Sequence, residues 1–266
     1  MKTVAIVSTS GGAGRTTLTA ELASLLAARK HPALALECDP RNVLGFHFGM
    51  REIPDDGLGA YLDAATAAAW ARAGQRSDDD VLFVPWGSRA GPAPANAAAI
   101  AAAIAVANAA AIASPDWLRR LLAQVDMPAH GVALIDSTPW PSPYANQAIS
   151  AADLVLVLAP AQPETCLTMQ RLVDALAAHG KTVRYVATRL QPARQLHVDI
   201  VALLQAMLGE AMLPYHIHED SSVGEALARS ESFCRSTPHS QAAHDMNGLA
   251  SWLSAWIDGA AQEPRS

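Results

Sequence analysis

The sequence predicts an α/β protein, a single doubly wound and mostly parallel sheet of about seven strands with helices on both faces. Three observations predict it. Short aliphatic runs recur along the chain without the alternation of half-exposed strands, so they suit strands buried on both faces. Stretches with helical spacing lie between several of them. The first run enters a glycine cluster and then a helix, the local order of a phosphate-binding turn.

Residues Lys2–Ser8 (KTVAIVS) form the first strand, bounded by Ser, Thr and Gly. Thr16–Lys30 follows as a helix with Leu18, Leu22, Leu25 and Leu26 at helical spacing. ALALEC, Ala33–Cys38, is the second strand and ends in Asp39 and Pro40, where proline stops regular pairing. Further strands are predicted at Val81–Pro85, Gly131–Asp136, Asp153–Pro160, Thr182–Thr188 and Met212–Ile217. Helices are predicted over Trp117–Val125, over Glu164–His179 ending at Gly180, and over Val198–Leu208 ending at Gly209. The stretch LASWLSAWIDG, Leu249–Gly259, sets Leu249, Trp252, Leu253 and Trp256 at helical spacing. It meets no Lys or Arg before Arg265, which favours a helix packed on the sheet over one lying on a membrane.

Residues 1–260 read as one nucleotide-binding domain and residues 261–266 as a disordered tail. Gly91–Pro115 within it is uncharged and rich in alanine for about 25 residues, long enough to span a bilayer. Alanine is nearly neutral on insertion scales, and Asn96, Asn108 and the Gly/Pro flank weaken that reading. An Ala-rich soluble helix or a low-complexity insertion is the plainer one.

A chain of 266 residues buries a sizeable core without disulfides or metals. Its net charge of -6 disfavours nucleic acid as the main partner. Arg184, Arg189 and Arg194 could form a basic stripe, but in an acidic chain a solvated face is the plainer explanation. Cys38, Cys166 and Cys234 are odd in number and far apart, which fits a reducing, cytoplasmic setting. The run VAIV is too brief for the apolar core of a signal peptide. His216 and His218 share a strand face, with His197 upstream, yet no Cys or carboxylate completes a metal set.

The chemistry concentrates in STSGGAGRTTLTAEL, Ser8–Leu22. A loop between a buried strand and a helix N-terminus turns several backbone N–H groups toward one point, and the helix dipole adds positive potential there. Gly11, Gly12 and Gly14 remove the Cβ atoms that would obstruct a phosphate, while Thr16 offers a hydroxyl to Mg²⁺. The pattern G-x-x-x-x-G-K-[ST] is incomplete, because Thr9 holds the first glycine position and Arg15 the lysine. A tight turn that merely joins strand to helix is the alternative, and three glycines before Thr16 and Thr17 speak against it. Asp136 ends the run VALI, where a carboxylate can hold Mg²⁺ through water, and Asp39 ends the second strand in the same way. Either alone could be a turn residue. Together with the loop they form a site, since open α/β sheets bind ligands at the carboxyl ends of their strands.

These residues carry a resemblance. SGGAGRTT resembles the deviant Walker A motif of the MinD/ParA family of P-loop ATPases, KGGxGKTT; LECDP resembles that family's switch I segment and VALIDSTP its Walker B. APAQPE and YHIHEDSSVGEALARSESF resemble its later segments, so the matches run in family order from residue 3 to about 235. IHED before an Ala-rich helix, and PWG after the third strand, are similar to the branch that serves bacterial cellulose secretion.

The resemblance implies that Ser10, Gly11, Gly12, Ala13, Gly14, Arg15, Thr16 and Thr17 bind the phosphates of ATP. Thr16 and Asp136 would hold Mg²⁺, Asp136 through water, and Asp39 would position the attacking water. It implies a nucleotide-dependent homodimer that assembles or localises a cellulose synthase complex, with its components or small regulatory subunits as partners. Recruitment to the inner membrane would be peripheral, through those partners. The departures are as informative. The family's signature lysine falls at Ser10, and its second lysine falls at Arg15, whose planar fork does not replace an ammonium in a tight loop. Loss of such cations slows phosphoryl transfer more than it weakens binding by backbone N–H groups, so hydrolysis is expected to be weak or absent. Thr188 and Arg189 stand where the family has an adenine-recognising asparagine, leaving base contacts to backbone around Ile217–Asp220. Two alternatives remain: an active partitioning or positioning ATPase, and a structural interaction module with a non-functional nucleotide site.

Overall fold

The computed structural model describes residues 1–62, 67–88, 109 and 116–259. The Ala-rich segment 91–115, apart from residue 109, and the tail 261–266 lie outside the described residues. One sheet organises the rest. Its strands are β1 (Lys2–Val7), β2 (Ala33–Cys38), β3 (Gln75–Arg76), β4 (Leu82–Val84), β5 (Val132–Ser137), β6 (Leu154–Pro160), β7 (Thr182–Leu190) and β8 (Met212–His218), in the order β3-β4-β2-β5-β1-β6-β7-β8. Every neighbouring pair is parallel except β3 with β4.

Among the described residues the expected seven strands are therefore eight. The added one is a two-residue antiparallel edge strand, Gln75–Arg76, which folds back on β4. Two polar residues carry no periodicity, so no sequence pattern marks them.

The buried runs explain the layering. On β1, Val4 and Ile6 face one core and Ala5 and Val7 the other. The first core is closed by α1 (Arg15–Ala28) and the C-terminal helix. The second is closed by α3 (Trp117–Leu122), α4 (Pro143–Ala151), α5 (Pro163–Ala177) and α6 (Gln195–Leu208). The remaining helices are α2 (Leu44–His47), α7 (Ser222–Ala228), α8 (Phe233–Ser236) and α9 (Gln241–Ile257). Gly209 closes α6 at φ 56 and ψ -134, a positive φ that favours glycine but not the left-handed helical conformation expected there.

The C-terminal helix begins at Gln241, eight residues earlier than the Trp-bearing stretch suggests, because the Ser240 side chain accepts from Ala243 N and caps it. Leu249 and Leu253 are fully buried on the sheet, and Trp252 and Trp256 pack at its margin. Glu21 of α1 is buried and accepts hydrogen bonds from Ser232 Oγ (2.9 Å), Phe233 N (2.8 Å) and Cys234 N (3.0 Å), fixing the late segment against the first helix. No described helix is long and apolar enough to cross a membrane.

Candidate functional site

The glycine loop leaves β1 at its carboxyl end, between the ends of β5 and β6. Gly12 and Gly14 take φ values of 72° and 92°, where L side chains are strained, and Gly14 is the N-cap residue of α1. A Cβ at Gly11 or Gly14 would meet nothing within 4 Å, so the space over the loop is open. No side chain caps α1, which leaves its first N–H groups to a ligand.

Arg15 lies beneath this loop rather than across its mouth. Its side chain is buried, with Nε donating to Ser137 O (2.8 Å) and Nη1 donating to Ser10 O (2.7 Å) and to Ser8 Oγ. Burial pulls the guanidinium below its ordinary pKa; Asp136 opposes the shift and Arg41 adds to it. Only Nη2 makes no hydrogen bond with the described residues, so the expected phosphate contact narrows to one nitrogen of the fork. Ser10, at the signature-lysine position, has a buried Oγ without a hydrogen-bond partner.

Thr16 and Asp136 do come together. Thr16 Oγ1 donates to Asp136 Oδ2 at 2.7 Å, and the buried Oδ1 has no partner. Burial raises the Asp136 carboxyl to about 7, against the Thr16 hydrogen bond and the Arg15 charge. A hydroxyl beside a desolvated carboxylate with an orphaned oxygen is a hard-oxygen donor pair that suits Mg²⁺. Among the described residues no group of three His, Cys, Asp or Glu is arranged to hold a metal unaided. Any Mg²⁺ would thus take most of its ligands from phosphates and water.

Asp39 sits at the end of β2 and is buried, but both its oxygens are occupied. Arg41 Nε donates to Oδ1 and Oδ2 at 3.1 and 2.9 Å, Arg41 Nη2 to Oδ2 at 2.5 Å, and the Arg41 backbone N to Oδ1 at 3.0 Å. Sequence reasoning missed this partner, although an arginine two residues after the carboxylate was the available signal. It also missed Glu37, whose signal was a charge inside an otherwise apolar strand. Glu37 Oε1 accepts from Leu44 N (2.9 Å) and Val43 N, holding the start of α2, and Oε2 is unpartnered. Burial raises Glu37 to about 8, with Asp136 and Asp39 adding to the shift and the backbone hydrogen bonds opposing it.

A cleft of about 340 Å³ opens beside the loop. Gly12, Ala13, Gly14 and Thr17 form one wall; Arg189 and Ile217–Asp220, the segment expected near a base, form the other. Thr188 Oγ1 donates to Ala13 O at 3.0 Å and ties β7 to the loop. His218 Nδ1 lies 2.7 Å from Asp245 Oδ2, and neither His216 nor His218 belongs to a group of three ligating residues among the described residues.

The family profile described as "Cellulose biosynthesis protein BcsQ" matches residues 1–253. The chain belongs to the BcsQ family. Its fold is that of the MinD-type P-loop ATPases. The cell division ATPase MinD of Pyrococcus furiosus superposes with a TM-score of 0.74 at 19% identity, covering 96% of this chain and 99% of that one. An ATP complex of McdA from Cyanothece gives 0.76 at 18% identity over 100% and 99%. Cobyrinic acid a,c-diamide synthase from Mycobacterium smegmatis, with an ATP analog and magnesium, gives 0.73 at 18% over 100% of both chains. A comparison with curated protein sequences gives no significant match.

Proposed function

We propose that this BcsQ-family chain binds Mg·ATP at the Ser10–Thr17 loop and dimerises on it, with weak or absent hydrolysis. The dimer would act as an assembly or localisation factor for a bacterial cellulose synthesis and secretion complex. The observation that carries the reading is the open glycine loop with the Thr16–Asp136 pair at its mouth. In this reading Gly11, Gly12, Ala13 and Gly14 cradle phosphates by backbone N–H groups, and Thr16 and Thr17 begin the helix whose dipole faces them. Thr16 would ligate Mg²⁺ and Asp136 would orient a water on it; the ion would neutralise phosphate charge. Asp39 would position water once Arg41 leaves it.

The family match supports the cellulose role, and complexes of structural neighbours with ATP or magnesium support the ligand. Cellulose synthase components or small regulatory subunits would be the partners, and would bring a cytoplasmic dimer to the inner membrane. A cycling, MinD-like positioning ATPase fits less well, because Ser10 supplies no cation and Asp39 is occupied. One observation favours a second reading, a structural module without nucleotide: Arg15 braces the loop from within, giving it a built-in cation. Calorimetry separates them. Saturable binding of Mg·ATP, lost in Asp136→Ala and Gly14→Val, supports the proposal, whereas a chain that takes up no nucleotide yet dimerises favours the module.

A further inference from the structure

Among the described residues lining the cleft, Arg189 is the one lysine or arginine. It belongs to β7, and the pairing of β7 with β8 slips between Ala187 and Leu190, placing an irregularity at Thr188 and Arg189. Such bulges re-aim side chains next to sites. Arg189 also has φ 56, a left-handed conformation unfavourable for arginine, and a plain surface ion pair gives no reason for it.

The result of that backbone turn is specific. The guanidinium lies over the phosphate loop, so that a methyl group placed on Gly12 would come within 3.6 Å of Nη1. Nη2 donates to Glu219 Oε1 at 2.8 Å, and Gln191 Nε2 donates to the other Glu219 oxygen at 2.5 Å. Nη1 and Nε make no hydrogen bond with the described residues. The fork is thus held on its far side by a carboxylate, itself held by a glutamine, with free donors toward the loop. Below, Thr188 on Ala13 O anchors the turn to the same loop. The other cations at the site are already engaged, Arg15 beneath the loop and Arg41 on Asp39.

We infer that Arg189 is a phosphate-binding residue: Nη1 donates to a phosphate oxygen of a nucleoside di- or triphosphate seated on the Gly12–Gly14 backbone, while Nη2 stays on Glu219. It supplies, from the same chain, a cation that Ser10 does not. A planar guanidinium can serve two anions at once, which an ammonium cannot do with fixed geometry. The inference rests on the nucleotide-site reading above.

The test is calorimetry on the full chain with Mg·ADP, Mg·ATP and adenosine. Arg189→Gly suits the left-handed backbone, and Arg189→Asn provides a second uncharged residue tolerant of that conformation. Affinity for Mg·ADP and Mg·ATP falls by about 10- to 100-fold in both variants, the effect of one charge-assisted hydrogen bond, with adenosine affinity unchanged. The salt dependence of Mg·ADP binding also becomes shallower in the variants, which a merely structural role would not produce. Variants that bind Mg·ADP within about threefold of the unmodified chain overturn the inference and leave the nucleotide site standing. Equal losses for Mg·ADP and adenosine overturn it in favour of a base contact. Absence of nucleotide binding in the unmodified chain overturns both.

Discussion

Arg41 decides whether Asp39 can act. A carboxylate that positions an attacking water must present a free lone pair, and here three donors of a single residue occupy both oxygens. Arg41 is 58% exposed and Asp39 is 4% exposed, so the arginine is the partner able to swing away. Arg41→Ala is expected to raise ATP turnover at least about tenfold while nucleotide affinity stays similar, measured as phosphate release at saturating Mg·ATP. Unchanged or lower turnover would mean that Arg41 does not restrain Asp39. The loop, Thr16 and Asp136 were legible because glycines and strand-terminal carboxylates follow from backbone geometry. The inward course of Arg15 was not, because its direction is set by Ser137 of β5, which no local pattern reveals; Arg41 was passed over although it lies two residues from Asp39.

At the scale of elements, the weak point lies between β2 and α2. Glu37 holds the N-terminus of α2 through Val43 and Leu44 and is raised to about 8 by burial. The sign follows from linkage. Between its ordinary 4.5 and about 8 the native state keeps a proton that the unfolded chain has released, so stability falls as pH rises through that window. Glu37→Gln keeps the acceptor for α2 and has no charge to desolvate. It is expected to match the unmodified chain near pH 5 and to melt about 3 °C or more above it near pH 8, by thermal unfolding at both pH values. Equal melting temperatures at pH 8 would show that Glu37 ionises there at no cost. The strands were legible within two residues at most ends, since continuous apolar runs allow little else. Less legible was α4, whose nine residues PYANQAISA are short for a periodic pattern and are fixed by Pro143 in the first turn and the Ser142 cap on Ala145 N.

At the scale of the whole molecule, the claim is that nucleotide brings two chains together across the loop face. That face carries an apolar feature: Leu167, near the start of α5, is 79% exposed. The adjacent Thr168 Oγ1 lies 2.7 Å from Thr9 Oγ1, which ties this part of α5 to the glycine loop. A leucine so exposed beside the site suits burial against a second copy, and Leu167→Glu is expected to weaken nucleotide-dependent dimerisation at least about tenfold without affecting Mg·ATP binding by the single chain. Its dissociation constant from sedimentation equilibrium in Mg·ATP would show it. Nucleotide-dependent dimerisation is read most directly from the mass in solution, by light scattering, with and without Mg·ATP. The expected mass is 27.9 kDa without nucleotide and about twice that with it, with a return to the single-chain mass in Gly14→Val. A mass that is the same in both conditions, or a dimer indifferent to Gly14→Val, would contradict it.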